Sequence, residues 1–287
     1  MREIKAVFFD IDGTLLNSHR TVSRSTIYAI NQLKQKQIYV GVATGRDPRF
    51  ILPYMASLGL DVAVAYNGQY IFARDTVLFS QSLSPSQVLA VQDYALKHRK
   101  ELLMGLATGV VGSGLMKFGH GHLAYRISRF IPRSWAGLIR FLLNRILHRF
   151  VSKDRSEKMF SGKSVYQMML VASEEEGKEL VADFPDLYFT RSNSYSLDII
   201  SKGMSKLQGI REVCGQWGFD PDETVAFGDS KNDIEMLQGV GYAVAMGNAD
   251  SDVKAVADLV TKSNDQDGIS FALQKMGLIT ESEGERQ

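Results

Sequence analysis

Five short apolar runs in this chain each stop at a polar cluster, and that recurrence narrows the fold more than any other feature. Ile4 to Phe9 ends in Asp10-Ile11-Asp12-Gly13-Thr14, Ile38 to Ala43 in Thr44-Gly45-Arg46, and Val62 to Ala65 leads to Asn67-Gly68. Late in the chain Thr224 to Phe227 ends in Gly228-Asp229, and Tyr242 to Ala245 in Met246-Gly247-Asn248. Continuous apolar runs of this length fit strands covered on both faces. Helical spacing lies between them. Ile27, Ile30 and Leu33 recur within Ser23 to Lys36, with Ser23 as N-cap, and helices are expected over Leu207 to Gly215 and from Ile234 to Gln238. Strand, helix, strand in this order predicts an α/β fold with a parallel sheet and right-handed crossovers. Such sheets build their sites at the carboxyl ends of the strands, where every polar cluster here falls.

Between about 82 and 190 the pattern changes. Ser84 to Lys97 and Glu174 to Asp183 read as helices, Val165 to Ala172 and Asp186 to Thr190 as strands, and the Gly-rich stretch Leu102 to Met116 as extended. The expectation is a Rossmann-like core at 1–81 and 191–287, with an α+β domain at 82–190 inserted into it. The stretch from Thr280 to Gln287 reads as a frayed tail.

At 287 residues the chain can bury a core without staples, and its single Cys214 excludes an intramolecular disulfide. The first residues lack a secretory pattern, and no apolar run is long enough to span a bilayer, so a cytoplasmic location is expected. The net charge of +1 hides an asymmetry: residues 119–163 carry ten Lys/Arg against two Asp/Glu. Basic charge confined to one segment argues against general nucleic-acid binding and for a local role. Within it Trp135, Leu138, Ile139, Leu142, Leu143, Ile146 and Phe150 recur at helical spacing, with Arg140, Arg145 and Arg149 on other faces. A cap helix burying this stripe is preferred over membrane contact through 135–150.

Asp10-Ile11-Asp12-Gly13-Thr14, Thr44-Gly45-Arg46, Lys202-Gly203-Met204-Ser205-Lys206 and Gly228-Asp229-Ser230-Lys231-Asn232-Asp233 resemble the four ordered motifs of the haloacid dehalogenase superfamily. The insertion after the second motif, with Asn67-Gly68 and Ala245-Met246-Gly247-Asn248-Ala249, resembles its Cof-type branch, which carries a large α/β cap. An isolated Asp-x-Asp-Gly is as well read as a turn. Four motifs in order, each at a strand end or helix start, disfavour that reading.

The residue types carry the matching chemistry. Phosphoryl transfer needs a nucleophile in line with the leaving oxygen and positive charge on the equatorial oxygens. Asp10 is the candidate nucleophile, and Asp12 the acid that protonates the leaving alkoxide and later deprotonates water. A hard cation, Mg²⁺, would take Asp10, the Asp12 carbonyl and Asp229 as ligands, with Asp233 orienting them from behind. The resemblance places phosphate contacts on Thr44, the Gly45 amide and Asn232. It also selects Lys206, after Ser205, over the competing Lys202 as the fixed positive charge. It implies hydrolysis of a small phosphate monoester, a sugar phosphate or a phosphorylated cofactor such as flavin mononucleotide or pyridoxal phosphate. Two rivals stand beside this: a phosphomutase returning the phosphoryl group to a second hydroxyl, and a non-catalytic module that senses a phosphorylated ligand. The acidic set Asp10, Asp12, Asp229 and Asp233 disfavours the second, since a binder of anions needs no paired carboxylates.

Two weaker motifs drop out. Gly162-Lys163-Ser164 lacks the first glycine of a phosphate-binding loop, because Glu157 stands there. Gly119-His120-Gly121-His122-Leu123-Ala124 has no strand-turn-helix context, and His120 and His122 have no partner cluster for a metal.

Overall fold

The structure, a computed structural model, describes residues 3–112, 162–191 and 196–280. The basic segment, its helical stripe, His120, His122 and the tail beyond 280 lie outside the described residues, apart from Gly162 and Lys163.

An eight-stranded sheet runs in the order β13-β12-β11-β1-β2-β3-β4-β5. Its strands are β1 (Ala6–Phe9), β2 (Tyr39–Ala43), β3 (Val62–Ala65), β4 (Tyr70–Ala73), β5 (Thr76–Ser80), β11 (Thr224–Gly228), β12 (Tyr242–Ala245) and β13 (Leu259–Val260). It is parallel from β13 to β3, as the apolar runs imply, but β4 and β5 are antiparallel. That edge hairpin turns tightly, with Arg74 in the left-handed region at φ 49°; its apolar run Tyr70-Ile71-Phe72-Ala73 is not among those read as strands from the sequence. Within β1, Val7 and Phe9 face one core, Ala6 and Phe8 the other. Both faces are covered by helices, so the strand has no polar side to show. The first core is closed by α1 (Arg24–Gln35), α2 (Pro48–Leu58) and α8 (Gly268–Lys275). The second is closed by α5 (Lys206–Trp217), α6 (Ile234–Gln238) and α7 (Ser251–Ala255). Ser23 caps α1 by accepting from the Thr26 amide, and Asp47 caps α2 by accepting from Arg49 and Phe50.

A second sheet, antiparallel throughout, runs β7-β6-β8-β10-β9. Its strands are β6 (Leu102–Leu106), β7 (Gly109–Gly112), β8 (Gln167–Val171), β9 (Leu187–Thr190) and β10 (Ser196–Ser201). Capping boxes start α3 (Pro85–Lys97) and α4 (Glu174–Asp183). They bury Val88, Val91 and Leu180 against Met168, Leu170, Leu197 and Ile199. A boundary at 191 would separate β10 from β8 and β9, to which it is hydrogen-bonded. We therefore propose that the cap runs from 82 to 201 and that the core resumes at the turn before α5.

The fold is thus an α/β core with a parallel-sheet centre and an inserted α+β cap, and no described helix is long and apolar enough to cross a membrane.

Candidate active site

Asp10 follows the last residue of β1 at the sheet's centre, and its amide donates to the Phe227 carbonyl at 2.9 Å. Ladder hydrogen bonds on both sides of β1 fix where its carboxylate points. The chain then folds back sharply, with the Leu15 and Leu16 amides donating to the Asp10 and Ile11 carbonyls at 3.1 and 2.9 Å. Gly13 makes that turn at φ 92°, and a Cβ there would lie 2.4 Å from Asp229 Oδ2. A side chain is excluded on both counts. From the far side Asn248 donates to the Gly13 carbonyl at 2.9 Å and Asn264 to that of Leu16 at 2.8 Å.

Lys206, the first residue of α5, enters from the other face of the sheet and is 1% exposed. Its ammonium donates to Asp10 Oδ1 and Asp233 Oδ1, each at 2.6 Å. Burial opposes that charge, but Asp10 and Asp233 outweigh it and hold the ammonium above its ordinary value. Lys202 points elsewhere, donating to the Pro185 carbonyl at 3.0 Å. Asp233 is fully buried; its Oδ2 accepts from the Asp229 and Ser230 amides at 3.0 and 2.9 Å. It thereby fixes the turn that carries Asp229. The Thr14 hydroxyl donates to Asp229 Oδ1 at 2.9 Å, and the Ser230 hydroxyl to Oδ2 at 3.2 Å.

Among the described residues Asp10, Asp229 and Asp233 bring carboxylate oxygens within 4.8 Å of one another. Burial pushes the Asp10 carboxyl well above the ordinary carboxylate range; Lys206 opposes this, while Asp233, Asp229 and Asp12 add to it. Asp229 is pushed up to about 6, by burial first and then by Asp233, against the pull of Thr14 and Lys206. One buried ammonium thus faces three crowded carboxylates. An all-oxygen set with uncompensated negative charge suits a hard divalent cation, so these residues fit Mg²⁺.

The Asp12 side chain is turned away from this cluster. Arg46 Nε and Nη2 donate to its Oδ2 and Oδ1 at 2.6 and 2.7 Å, the bidentate geometry of a strong charged pair. Burial raises the Asp12 carboxyl, but Arg46 more than offsets this and holds it below its ordinary value. Arg46 itself rests over the Phe50 ring, 4.7 Å from the centroid.

Thr44 is buried, its hydroxyl accepting from the Arg46 amide at 3.2 Å and its carbonyl from Asn67 at 2.9 Å. Tyr66 and Asn67 follow β3 in the left-handed region, at φ 50° and 51°. Such residues cost ~1–3 kcal/mol each and persist only where neighbours fix them. Asn232 Nδ2 reaches Asn67 Oδ1 at 3.5 Å, and Asn232 Oδ1 is buried without a hydrogen-bond partner among the described residues. A cleft of about 300 Å³ is lined by Lys206, Asn232 and Asn67 at the core and by Tyr188, Thr190 and Ile200 from the cap.

The candidates read from sequence therefore meet at one end of the sheet: Asp10, Lys206, Asp229 and Asp233 in contact, Thr44, Gly45 and Asn232 beside them, and Asp12 held off by Arg46. Sequence reasoning gave Arg46 no role, although it completes the Thr44-Gly45-Arg46 motif. It also passed over Gln167 and Asp198. The one signal for Asp198 is a carboxylate in the middle of the apolar stretch Leu197-Asp198-Ile199-Ile200.

Residues 7–273 match the family model of haloacid dehalogenase-like hydrolases. The chain is similar to YkrA of Bacillus subtilis (strain 168), whose phosphatase name is provisional, at 30% identity over 275 residues covering 96% of this chain and 98% of that protein. It is 25% identical over 280 residues to the 5-amino-6-(5-phospho-D-ribitylamino)uracil phosphatase YbjI of Escherichia coli (strain K12), covering 95% of this chain and 96% of that one. The solved structure of BT4131, a sugar phosphatase of HAD subclass IIB, superposes with a TM-score of 0.79 at 31% identity, covering 96% of this chain and 100% of that one.

Proposed function

The chain belongs to the haloacid dehalogenase-like hydrolases and is a phosphatase of small phosphorylated substrates, and on that premise we propose that it hydrolyses phosphate monoesters with Mg²⁺ through a phospho-aspartyl intermediate on Asp10. The observation that carries this reading is the buried Asp10 carboxylate, anchored by Lys206 and crowded by Asp229 and Asp233.

Asp10 attacks phosphorus, forming the acyl phosphate as the ester oxygen leaves. Lys206, the Gly45 amide, Thr44 and Asn232 take up charge on the phosphoryl oxygens. Mg²⁺, held by Asp10, the Asp12 carbonyl and Asp229, would supply the remaining positive charge, with Asp233 fixing Asp229 from behind. Asp12 donates a proton to the leaving alkoxide and then removes one from the water that cleaves the acyl phosphate. Arg46 keeps Asp12 ionised, the state needed for the second of these tasks; away from Arg46 its pKa rises toward that of the acid needed for the first.

The substrate is a sugar phosphate or a phosphorylated cofactor. Named relatives support this breadth, one being a sugar phosphatase and another acting on a ribityl phosphate. The test is phosphate release across a panel of phosphorylated metabolites, in Mg²⁺ and in excess chelator, for the parent and Asp10→Asn. Turnover in Mg²⁺ alone, lost in Asp10→Asn, is expected. Full turnover in chelator, or in Asp10→Asn, would remove the mechanism, and transfer to an added sugar hydroxyl would identify a mutase.

A further inference from the structure

The strained loop at Tyr66 and Asn67 is held largely from the cap. The Tyr66 hydroxyl donates to the Leu106 carbonyl at 3.0 Å, and its ring stacks on Tyr166 at 6.3 Å. Gly105 of β6 lets this ring approach, since a Cβ there would lie 2.4 Å from it. Gln69 donates to the Tyr166 carbonyl and accepts from the Ser201 amide at 2.6 Å. Asn67 Nδ2 donates to Gln167 Oε1 at 2.9 Å and to Asp198 Oδ2 at 3.2 Å. Gln167 and Asp198 are 3% and 4% exposed, on β8 and β10, and their neighbours Met168, Leu197 and Ile199 pack into the cap's own core.

What these two residues hold matters for the site. Gln167 Nε2 donates to the Gly45 carbonyl at 3.2 Å, fixing the peptide beside the proposed phosphate contacts. With Asn67 Nδ2 engaged by the cap, its Oδ1 turns toward Asn232 and takes one of the two Nδ2 hydrogens of that side chain. This contact favours one roll of the Asn232 amide, whose Nδ2 makes no second hydrogen bond among the described residues. A backbone in the left-handed region does not keep this arrangement unaided.

We propose that Gln167 and Asp198 are positioning residues that lock Asn67, and through it Asn232, while Gln167 also holds Gly45 directly, so that the phosphate pocket is complete only with the cap sheet in place. This rests on the reading of Asn232 and Gly45 as phosphate contacts. The rival is a staple that joins cap to core without effect on phosphate.

The full-length chain in Mg²⁺ separates the two. Asp198→Ala, Gln167→Ala and Asn67→Ala are compared by calorimetric affinity for inorganic phosphate, by kcat/KM on a small aryl phosphate, and by melting temperature. Each is expected to weaken phosphate binding severalfold and to lower kcat/KM by ~10–100-fold, the scale of a small misplacement at a reacting centre. Asp198→Asn keeps an acceptor for Asn67 and should restore most of the loss. In an Asn67→Ala background, Asp198→Ala should add less than about twofold, because residues acting in series are not additive. Unchanged phosphate affinity, or fully additive losses in the double variant, would overturn the proposal. The phosphate measurement needs no turnover, so an inactive parent would count against the phosphatase reading while leaving this inference testable.

Discussion

Removing the buried ammonium is the sharpest probe of the charge balance at this site. In Lys206→Met the side chain keeps its approximate length, but Asp10 and Asp233 lose the donor that both contact at 2.6 Å. With side-chain exposures of 1%, 8% and 0% for Lys206, Asp10 and Asp233, both carboxylates stay largely shielded from bulk water once the donor is gone. Breaking a buried ion pair from one side costs ~3–5 kcal/mol, and two stranded carboxylates place this variant toward the upper end. At a urea dependence of ~2–3 kcal/mol per molar, the unfolding midpoint should fall by about 1–2 M at pH 8 in chelator. The pH dependence has a definite sign. Burial already raises the folded-state pKa of Asp10, and loss of Lys206 raises it further. A carboxylate raised above its unfolded value of 3.8 favours folding most at low pH, and that contribution is lost as pH rises through the folded value. The deficit should therefore be largest at pH 8 and shrink toward pH 5. Urea titrations followed by circular dichroism at both pH values measure it. A deficit below ~1 kcal/mol at pH 8, or one that grows on acidification, would refute the argument.

Two further outcomes follow from the same geometry. Asp12→Asn should bind inorganic phosphate like the parent yet turn over an aryl phosphate ~10²–10⁴-fold more slowly, the usual contribution of a positioned acid–base group; near-parental turnover would remove Asp12 from the mechanism. Gly13→Ala meets Asp229 Oδ2 at 2.4 Å in a backbone at φ 92°, so the Mg²⁺ concentration for half-maximal activity should rise at least tenfold, read from a metal titration, while unaltered activation would show that the turn tolerates a side chain.

Much of the fold is written locally. Runs such as Ala6–Phe9 and Val62–Ala65 are apolar at every position because both faces of the strand are covered, and that pattern survives translation from residue order to sheet. Ser23, Ser84 and Ser173 mark their helix starts because a cap hydrogen bond spans only three residues. The placing of Asp10 and Asp229 at one end of the sheet is equally readable, since each lies at the carboxyl end of a strand whose position in a parallel sheet is constrained, whereas the choice of Lys206 over Lys202 rests on the family resemblance. Contacts made across large sequence distances were not. Arg46 meets Asp12 across 34 residues, and Asp198 meets Asn67 across 131, through side-chain geometry that no periodicity encodes. Strand β10 joins the cap sheet because its hydrogen-bonding partners are β8 and β9, and an apolar run looks the same whichever sheet accepts it. The left-handed Tyr66 belongs to the same class: its residue type disfavours that conformation, which Asn67 beside it adopts more readily, and cap and core together impose it.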